Sequence, residues 1–465
     1  MESGFHVENF GCRAARADGE AVAKRLYASG LAAQPMREAN VVVVNTCSVT
    51  AEADREARAY IRRAHRLNPE AKIVVTGCYA QRAPEELAAI KGVSAVVGNS
   101  HKALMPQIAL NLATGIASEA APVVPLASLI SNGAPIWADD AFAHSFLEEA
   151  QVAPGTQTRP NLKIQEGCGN RCTFCVIPQT RGSSRSLPQA AILKQVRGFV
   201  SAGGKELVFS GINLGRWGKD RNQDFDARQS LSALVRAILT ETDLPRLRLS
   251  SIEPMDWTAD LIALFRDFAP SRLARHAHLP LQSGSDAVLR RMHRRYRPWH
   301  YVEKVASLTA VCGDELTLGA DVMTGFPGET DAEFAETCEL IRALPFGYLH
   351  LFPFSPRPGT RAWVLHQQSP VPPHVVGERM QTLRDLAAAK TRVHRASMIG
   401  RTLHAITLHT PQALAAEGKT TALTANFLPV VMEGRIPANQ LLEVQITILT
   451  ETHELLATAP CDGHA

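Results

Sequence analysis

Three times within the first ninety residues, a short apolar run ends in a cysteine and passes into a helical segment. Val41–Val44, four consecutive valines, leads to Cys47; Lys72–Thr76 (KIVVT) leads to Gly77-Cys78; the weaker run FHVENF leads to Gly11-Cys12. Helical segments follow at about Asp18–Ser29, Ala51–Leu67 and Pro84–Ile90. Runs of β-branched residues read as strands buried on both faces, and strand alternating with helix predicts an open parallel sheet. Such sheets bind ligands beyond the carboxyl ends of their strands. All three thiols fall at that edge, so the topology lets them converge on one site. The alternative is three inert core cysteines.

At 465 residues the chain is long enough for about three domains. With 45% apolar and 20% charged residues it is neither a disordered chain nor a small disulfide scaffold. Forty-nine Lys and Arg against forty-five Asp and Glu leave a net charge of only +4, so any nucleic-acid contact must come from local patches. No apolar run approaches the roughly 20 residues of a membrane span. The start, MESGFHVENFGC, carries Glu2 and Glu8 and lacks the apolar stretch of a secretory signal. Clustered cysteines in such a chain read as metal ligands or catalysts rather than disulfides.

The expected organisation is α/β in four parts. Residues 1–113 form the open parallel-sheet domain. Residues 114–160, punctuated by Pro122, Pro125, Pro135, Pro154 and Pro160, read as a linker or insertion with one short helix near Ala141–Ala150. Residues 161–396 resume the alternation, with strands at Leu162–Gln165, Glu206–Ser210, Leu247–Ser250, Ala277–Pro280, Thr317–Met323 and Tyr348–Phe354. Helices separate them at Pro188–Ala202, Ser230–Thr240, Leu261–Phe268, Tyr301–Cys312 and Ala332–Leu344, the last opened by a Thr330/Glu333 capping box. Six βα units predict a partial (β/α) barrel. A basic helix (Val376–Ser397) follows, and residues 397–465 hold short apolar stretches (LHAITL, FLPVVM, LLEVQITIL) that predict a small antiparallel β-barrel.

The central motif is Cys168-Gly-Asn-Arg-Cys172-Thr-Phe-Cys175, a C-x3-C-x2-C directly after the first barrel strand. Three thiolates on one tight loop hold three irons of a cubane cluster and leave the fourth open to a ligand. Zinc normally takes a fourth Cys or His at short spacing, and the nearest downstream thiol is Cys312. A zinc knuckle is the alternative. Polar groups end the other barrel strands, where a barrel places its chemistry. They are Ser210-Gly211-Ile212-Asn213, Ser250-Ser251-Ile252-Glu253, Gln282-Ser283 in HLPLQSGSD, Asp321 with GFPGET, and FPFSPRPGT. Asn213, Glu253 and Gln282 are the candidates to point into the site as catalytic groups; loop capping is the competing role for each.

The segment KIQEGCGNRCTFCVIPQTRG resembles the cluster loop of radical S-adenosylmethionine enzymes, and most closely that of the methylthiotransferases. NFGCRAARADGE, NTCSVTAEAD and VVTGCYAQR resemble the N-terminal domain of the same family. The resemblance spans nearly the whole chain except about 114–160. It implies two 4Fe-4S clusters, one on Cys168, Cys172 and Cys175 and an auxiliary one on Cys12, Cys47 and Cys78. It further implies S-adenosylmethionine bound near Phe174, Ser210 and Gly211. In the implied reaction one S-adenosylmethionine methylates a sulfur on the auxiliary cluster. Another yields the radical that removes hydrogen from C2 of an adenine in tRNA, where the methylthio group is then captured. A splayed base of that kind is available in an anticodon loop.

NTCSVTAEAD, VVTGCYAQ, KIQEGC and especially LSSIEPMDW look most like the branch of the family that acts on threonylcarbamoyladenosine at position 37, next to the anticodon. The alternatives are the isopentenyladenosine branch, a radical enzyme that inserts no sulfur, and, more remotely, a non-catalytic iron–sulfur or zinc RNA-binding protein. The resemblance also implies an electron donor of the flavodoxin type and a monomeric, cytoplasmic enzyme with no membrane association.

Two basic features are candidates for RNA contact. Arg55, Arg58, Arg62 and Arg66 form one stripe of the helix after Cys47. RRMHRRYRPW interleaves Arg294, Arg295 and Tyr296 with further arginines and Trp299. A solvated helix face is the plainer reading of both. The C-terminal barrel resembles the TRAM module, an RNA-binding fold. Yet residues 398–465 carry Arg401, Lys419 and Arg435 against Glu417, Glu433, Glu443, Glu451, Glu454 and Asp462, a net acidic balance. Cys312 and Cys338 are expected in the core, and Cys461 as an exposed thiol.

Overall fold

The computed structural model describes residues 3–115, 133–140, 142, 157–220 and 229–459. The expected helix near Ala141–Ala150 and the thiol of Cys461 lie outside them. The chain divides into two compact units. The first comprises residues 1–150, 165–185 and 355–363, and the second 151–164, 186–354 and 364–465.

In the first unit six parallel strands are ordered β2-β1-β3-β4-β5-β6. They are β1 (Gly4–Asn9), β2 (Ala32–Ala33), β3 (Val41–Thr46), β4 (Lys72–Gly77), β5 (Val93–Gly98) and β6 (Ile136–Trp137). The valine run explains the layering. Val42 and Val44 pack with Ile73, Val75 and Ile61 on one face, while Val41 and Val43 pack with Val74, Leu26 and Ile108 on the other. Both faces are covered by helices, which is why the run shows no polar alternation. The helix Ala51–Leu67 begins where Thr50 accepts a hydrogen bond from the Ala53 N–H at 3.2 Å. Within the 114–160 segment, expected to be a linker or insertion, Ile136–Trp137 adds an edge strand beside β5. Two apolar residues after a proline are too short a signal to read as a strand.

The second unit takes up the alternation. Its strands are β7 (Asn161–Glu166, of which 161–164 lie in this unit), β8 (Arg185–Ser186), β9 (Glu206–Gly211) and β10 (Arg246–Leu249), in the order β10-β9-β7-β8. A second sheet holds β11 (His276–His278), β12 (Thr317–Thr324) and β13 (Phe346–Pro353), all parallel. Six βα units in two arcs match the partial barrel expected. Local signals set the helix starts: Ser230, Thr258 and Thr330 each cap a helix, and Thr330 and Glu333 form the reciprocal capping box.

The same unit ends in a closed five-stranded barrel ordered β14-β15-β16-β18-β17. Its strands are β14 (Thr402–Thr407), β15 (Lys419–Thr424), β16 (Pro429–Glu433), β17 (Leu441–Leu449) and β18 (Leu455–Thr458). One pair, β16 with β18, is parallel, so the barrel is not purely antiparallel as expected. Closure needs that pairing, and a hairpin pattern in the sequence does not disclose it.

This small barrel is docked through its β15–β16 turn. Phe427 sits in the left-handed region (φ 70°) and stacks on His276 with ring centroids 4.4 Å apart, while the Arg248 guanidinium lies 5.4 Å from its centroid. Arg248 Nη2 donates to Thr424 O at 3.1 Å, and Asn426 Nδ2 donates to Glu315 O at 3.0 Å. Phe427→Ala is expected to lower unfolding stability by about 2 kcal/mol, read by urea denaturation of the full chain. Under 0.5 kcal/mol would show that the ring is not an anchor.

Candidate active site

Cys12, Cys47 and Cys78 follow β1, β3 and β4, three adjacent strands, at the carboxyl edge of the first sheet. Two glycines make that edge possible. Gly11 (φ +101°) has no room for a side chain, since a Cβ there would lie 2.8 Å from Cys47 Sγ. Gly77 (φ +96°) would bring a Cβ to 2.3 Å from Thr46 O. A left-handed glycine before each of Cys12 and Cys78 thus turns the chain sharply at the strand end and leaves the thiol beside its neighbours. Cys47 and Cys78 are buried and Cys12 is exposed. Burial, then the nearby Cys78 and Cys12, push the Cys47 thiol up to about 12, against the Val49 N–H and Arg181, which pull it down. Free of metal, Cys47 is a protonated thiol; a bound metal would take it as thiolate.

The second triplet is on the loop after β7. The backbone is tied by Cys168 N–H to Gly182 O (3.1 Å) and Cys175 N–H to Cys172 O (3.2 Å), and the Asn170 N–H lies 3.4 Å from Cys168 Sγ. All three thiols and Phe174 are half-buried. This loop, residues 165–185, belongs to the same compact unit as the first triplet. Three thiols on each segment, with no fourth Cys or His at short spacing in the sequence, suit a cubane cluster with one open iron better than a tetrahedral zinc.

Between the two cysteine segments lies a buried polar network that sequence reading missed. The Arg181 side chain is fully buried; its Nε is 3.2 Å from Cys78 Sγ, and its Nη1 donates to Asp18 Oδ2 (2.9 Å) and to Glu166 Oε1. Lys102 Nζ pairs with Glu166 Oε2 and, at 3.4 Å, with Asp18 Oδ1. Asn99 Nδ2 lies 3.6 Å from Cys78 Sγ and donates to Thr180 O at 2.8 Å. Burial disfavours the charge on Arg181, but Cys78, Glu166 and Asp18 outweigh it and hold the guanidinium firmly protonated. Nearby, buried Asp54 pairs with Arg82 (2.9 Å) and Arg357 (2.7 Å). The signal available in the sequence was the arginine six residues past Cys175, in IPQTRG.

In the second unit, Ser210 is buried at the end of β9 and its Oγ has no hydrogen-bond partner among the described residues. Asn213 is buried, and Gln282 adopts φ 61° with its N–H on Asp321 O at 2.8 Å. The Glu253 carboxylate is clasped by Arg294 Nη2 at 2.6 and 2.7 Å. Asp321 lies inside β12 rather than after it. Its Oδ1 is 3.4 Å from His278 Nε2 and 3.3 Å from His350 Nδ1, the one group of three such ligand atoms within 4.8 Å among the described residues. Burial opposes the charge on Asp321, yet the two imidazoles beside it hold its carboxyl well below the usual range.

Two RNA-contact candidates are corrected. Tyr296 is fully buried and its hydroxyl donates to Pro280 O and Leu281 O at 2.7 and 2.8 Å, so its ring is not a stacking platform. Arg294 is buried on Glu253. The alternation of basic and aromatic residues in RRMHRRYRPW conceals which of them face inward; Arg290, His293, Arg295 and Trp299 are exposed. In the other stripe Arg62 and Arg66 are exposed, Arg55 pairs with Glu52, and Arg58 donates to the Tyr79 hydroxyl at 2.6 Å.

Residues 4–98 match the uncharacterized protein family UPF0004, and residues 162–341 match the radical SAM superfamily. The fold is similar to that of the radical S-adenosylmethionine methyltransferase TsrM from Kitasatospora setae, with a TM-score of 0.53 over 78% of this chain and 77% of that one at 14% identity. Fold and motif thus define a radical S-adenosylmethionine enzyme with a second cysteine triplet on an added N-terminal sheet. The threonylcarbamoyladenosine tRNA methylthiotransferase MtaB of Bacillus subtilis is 34% identical over 92% of this chain and 90% of its own length. A tRNA-2-methylthio-N(6)-dimethylallyladenosine synthase of Erythrobacter litoralis is 33% identical over 86% of this chain and 85% of its own. The chain belongs to the radical S-adenosylmethionine methylthiotransferase family, and it is an enzyme of that kind.

Proposed function

We propose that the chain installs a methylthio group on C2 of threonylcarbamoyladenosine at position 37 of tRNA. The observation that carries the reaction type is the gathering of two cysteine triplets into one compact unit. The substrate reading rests on the likeness of NTCSVTAEAD, VVTGCYAQ, KIQEGC and LSSIEPMDW to the threonylcarbamoyladenosine branch, whose Bacillus subtilis member is 34% identical. Cys12, Cys47 and Cys78 would hold the auxiliary 4Fe-4S cluster, and Cys168, Cys172 and Cys175 the cluster that binds S-adenosylmethionine. The residues fit: both triplets belong to one compact unit, and Gly11, with no side chain, lets the backbone before Cys12 approach Cys47 closely. When bound, these groups supply sulfur for transfer and one-electron chemistry on the sulfonium. The protein's own part is to orient the thiolates, bury the sites from water and keep the cationic Arg181 beside the first triplet.

Among the described residues no helix is long and apolar enough to cross a membrane. A cytoplasmic enzyme acting on an anticodon loop, reduced by a flavodoxin-type donor, accords with this reading. Mass analysis of tRNA nucleosides from cells lacking the protein tests it. Loss of 2-methylthio-threonylcarbamoyladenosine with intact methylthio-isopentenyladenosine is expected; the converse pattern would reassign the substrate. Arg62→Ala with Arg66→Ala is expected to weaken tRNA binding about tenfold and to lower the slope of log affinity against log salt by about 2. An unchanged salt slope would remove this stripe from the RNA interface.

A further inference from the structure

We propose that Arg181 is a positioning residue of the sulfur-carrying centre: its guanidinium donates to the Cys78 sulfur, ties the second cysteine loop to the first triplet and raises the reduction potential of the cluster held there. The proposal rests on the reading of Cys12, Cys47 and Cys78 as cluster ligands. Three observations carry it. First, the donors of Arg181 are divided in a way that a purely structural ion pair does not need. Both carboxylates, Asp18 and Glu166, converge on the single nitrogen Nη1. An arginine serving only those carboxylates would present its fork of two nitrogens to them. Instead Nε goes to Cys78 Sγ at 3.2 Å.

Second, Nη2 is buried and has no hydrogen-bond partner among the described residues. A fully buried, unsatisfied guanidinium donor is unfavourable unless an acceptor arrives. The sulfides of a bound cluster are acceptors of the right kind.

Third, Arg181 and Lys102 bring two cations to Asp18 and Glu166 beside the Cys78 sulfur. The thiolates of the cluster add negative charge that the cations must share. Reduction adds more. A cation bonded to a ligand sulfur therefore favours the reduced cluster and moves its potential upward. The same side chain is rooted six residues past Cys175, and Asn99 pins the preceding residue through Thr180 O at 2.8 Å. The loop of the second triplet is thereby indexed to the ligands of the first.

The test uses the full chain with Cys168, Cys172 and Cys175 replaced by alanine, so that the first triplet alone is loaded with iron and sulfide under anaerobic conditions. Redox titration followed by electron paramagnetic resonance then compares Glu166→Gln with the double variant Glu166→Gln, Arg181→Met, the glutamine avoiding an uncompensated buried carboxylate. The expected result is a more negative midpoint in the double variant, with Arg181→Lys intermediate. Pulsed resonance on the unsubstituted Arg181 protein, grown with 15N-arginine, is expected to show an arginine nitrogen coupled to the reduced cluster, which decides the matter should the methionine variant not fold. Iron retained at an unchanged midpoint, with no arginine coupling, overturns the role of Arg181 alone. A parent protein that holds no iron overturns the cluster assignment and this proposal together.

Discussion

Cys172→Ala is expected to abolish both the cleavage of S-adenosylmethionine and the methylthiolated product, whereas Cys47→Ala abolishes the product and leaves cleavage in place. The two thiols lie in one compact unit but on separate segments, Cys47 past β3 and Cys172 on the loop after β7. Removing one ligand of three leaves an open-site cluster with too few thiolates to persist, so each variant should lose one cluster. Iron is then expected to fall from about eight to about four per chain in either case. The measurement is anaerobic turnover with 5′-deoxyadenosine and the modified nucleoside followed together. Methylthiolated product retained in Cys47→Ala would show that the first triplet is not needed for sulfur transfer. Stoichiometric zinc without iron in the reconstituted protein would remove the radical reading altogether.

Glu206→Gln is expected to be the most damaging single change in the second unit. Glu206, at the start of β9, is fully buried and meets Arg248 Nε at 2.8 Å, Arg246 Nη1 at 3.3 Å and Arg159 Nη1 at 3.5 Å. Arg248 and Arg246 are themselves buried, so a neutral glutamine leaves two cations without a counter-charge in a dry site. The expected loss is about 3–5 kcal/mol, read by urea unfolding. Burial alone would raise the pKa of Glu206, but Arg248, Arg159 and Arg246 overcome it and lower the value to about 2. A carboxyl depressed in the folded state stabilises above its unfolded pKa, near 4.5, and loses that contribution as pH falls toward 2. The wild type should therefore lose stability steeply between about pH 4.5 and 2, and Glu206→Gln should show a shallower decline there. Equal slopes would mean that the arginines are solvated when the carboxylate is lost.

The contrast between RRMHRRYRPW and the helix after Cys47 shows where sequence reading reaches and where it stops. On the helix, a 3.6-residue period separates buried Ala57, Ile61 and Ala64 from exposed Arg62 and Arg66, so the outward stripe is legible. RRMHRRYRPW has no such period, because it spans a helix end, a turn and a helix start. Arg294 and Tyr296 are turned inward there by partners 41 and 15 residues away, Glu253 and Leu281. Trp299 and Arg295 remain outside. Composition alone does not distinguish these fates.

The strand-then-cysteine repeat, the C-x3-C-x2-C spacing and the capping residues Thr50, Ser230, Thr258 and Thr330 act over a few residues. They specify the parallel sheet, the cluster loop and the helix starts without knowledge of distant chain. The position of all three thiols at one sheet edge followed from them, since parallel strands share one carboxyl end. The bond between Arg181 and Cys78 spans 103 residues, the parallel closure of the small barrel by β16 and β18 joins non-consecutive strands, and Glu206 meets Arg246 and Arg248 from the neighbouring strand β10. Charge and hydrogen bonding carry no periodicity along a chain, so only the folded arrangement pairs them. The local pattern placed the cysteines; tertiary packing chose which cation stands beside them.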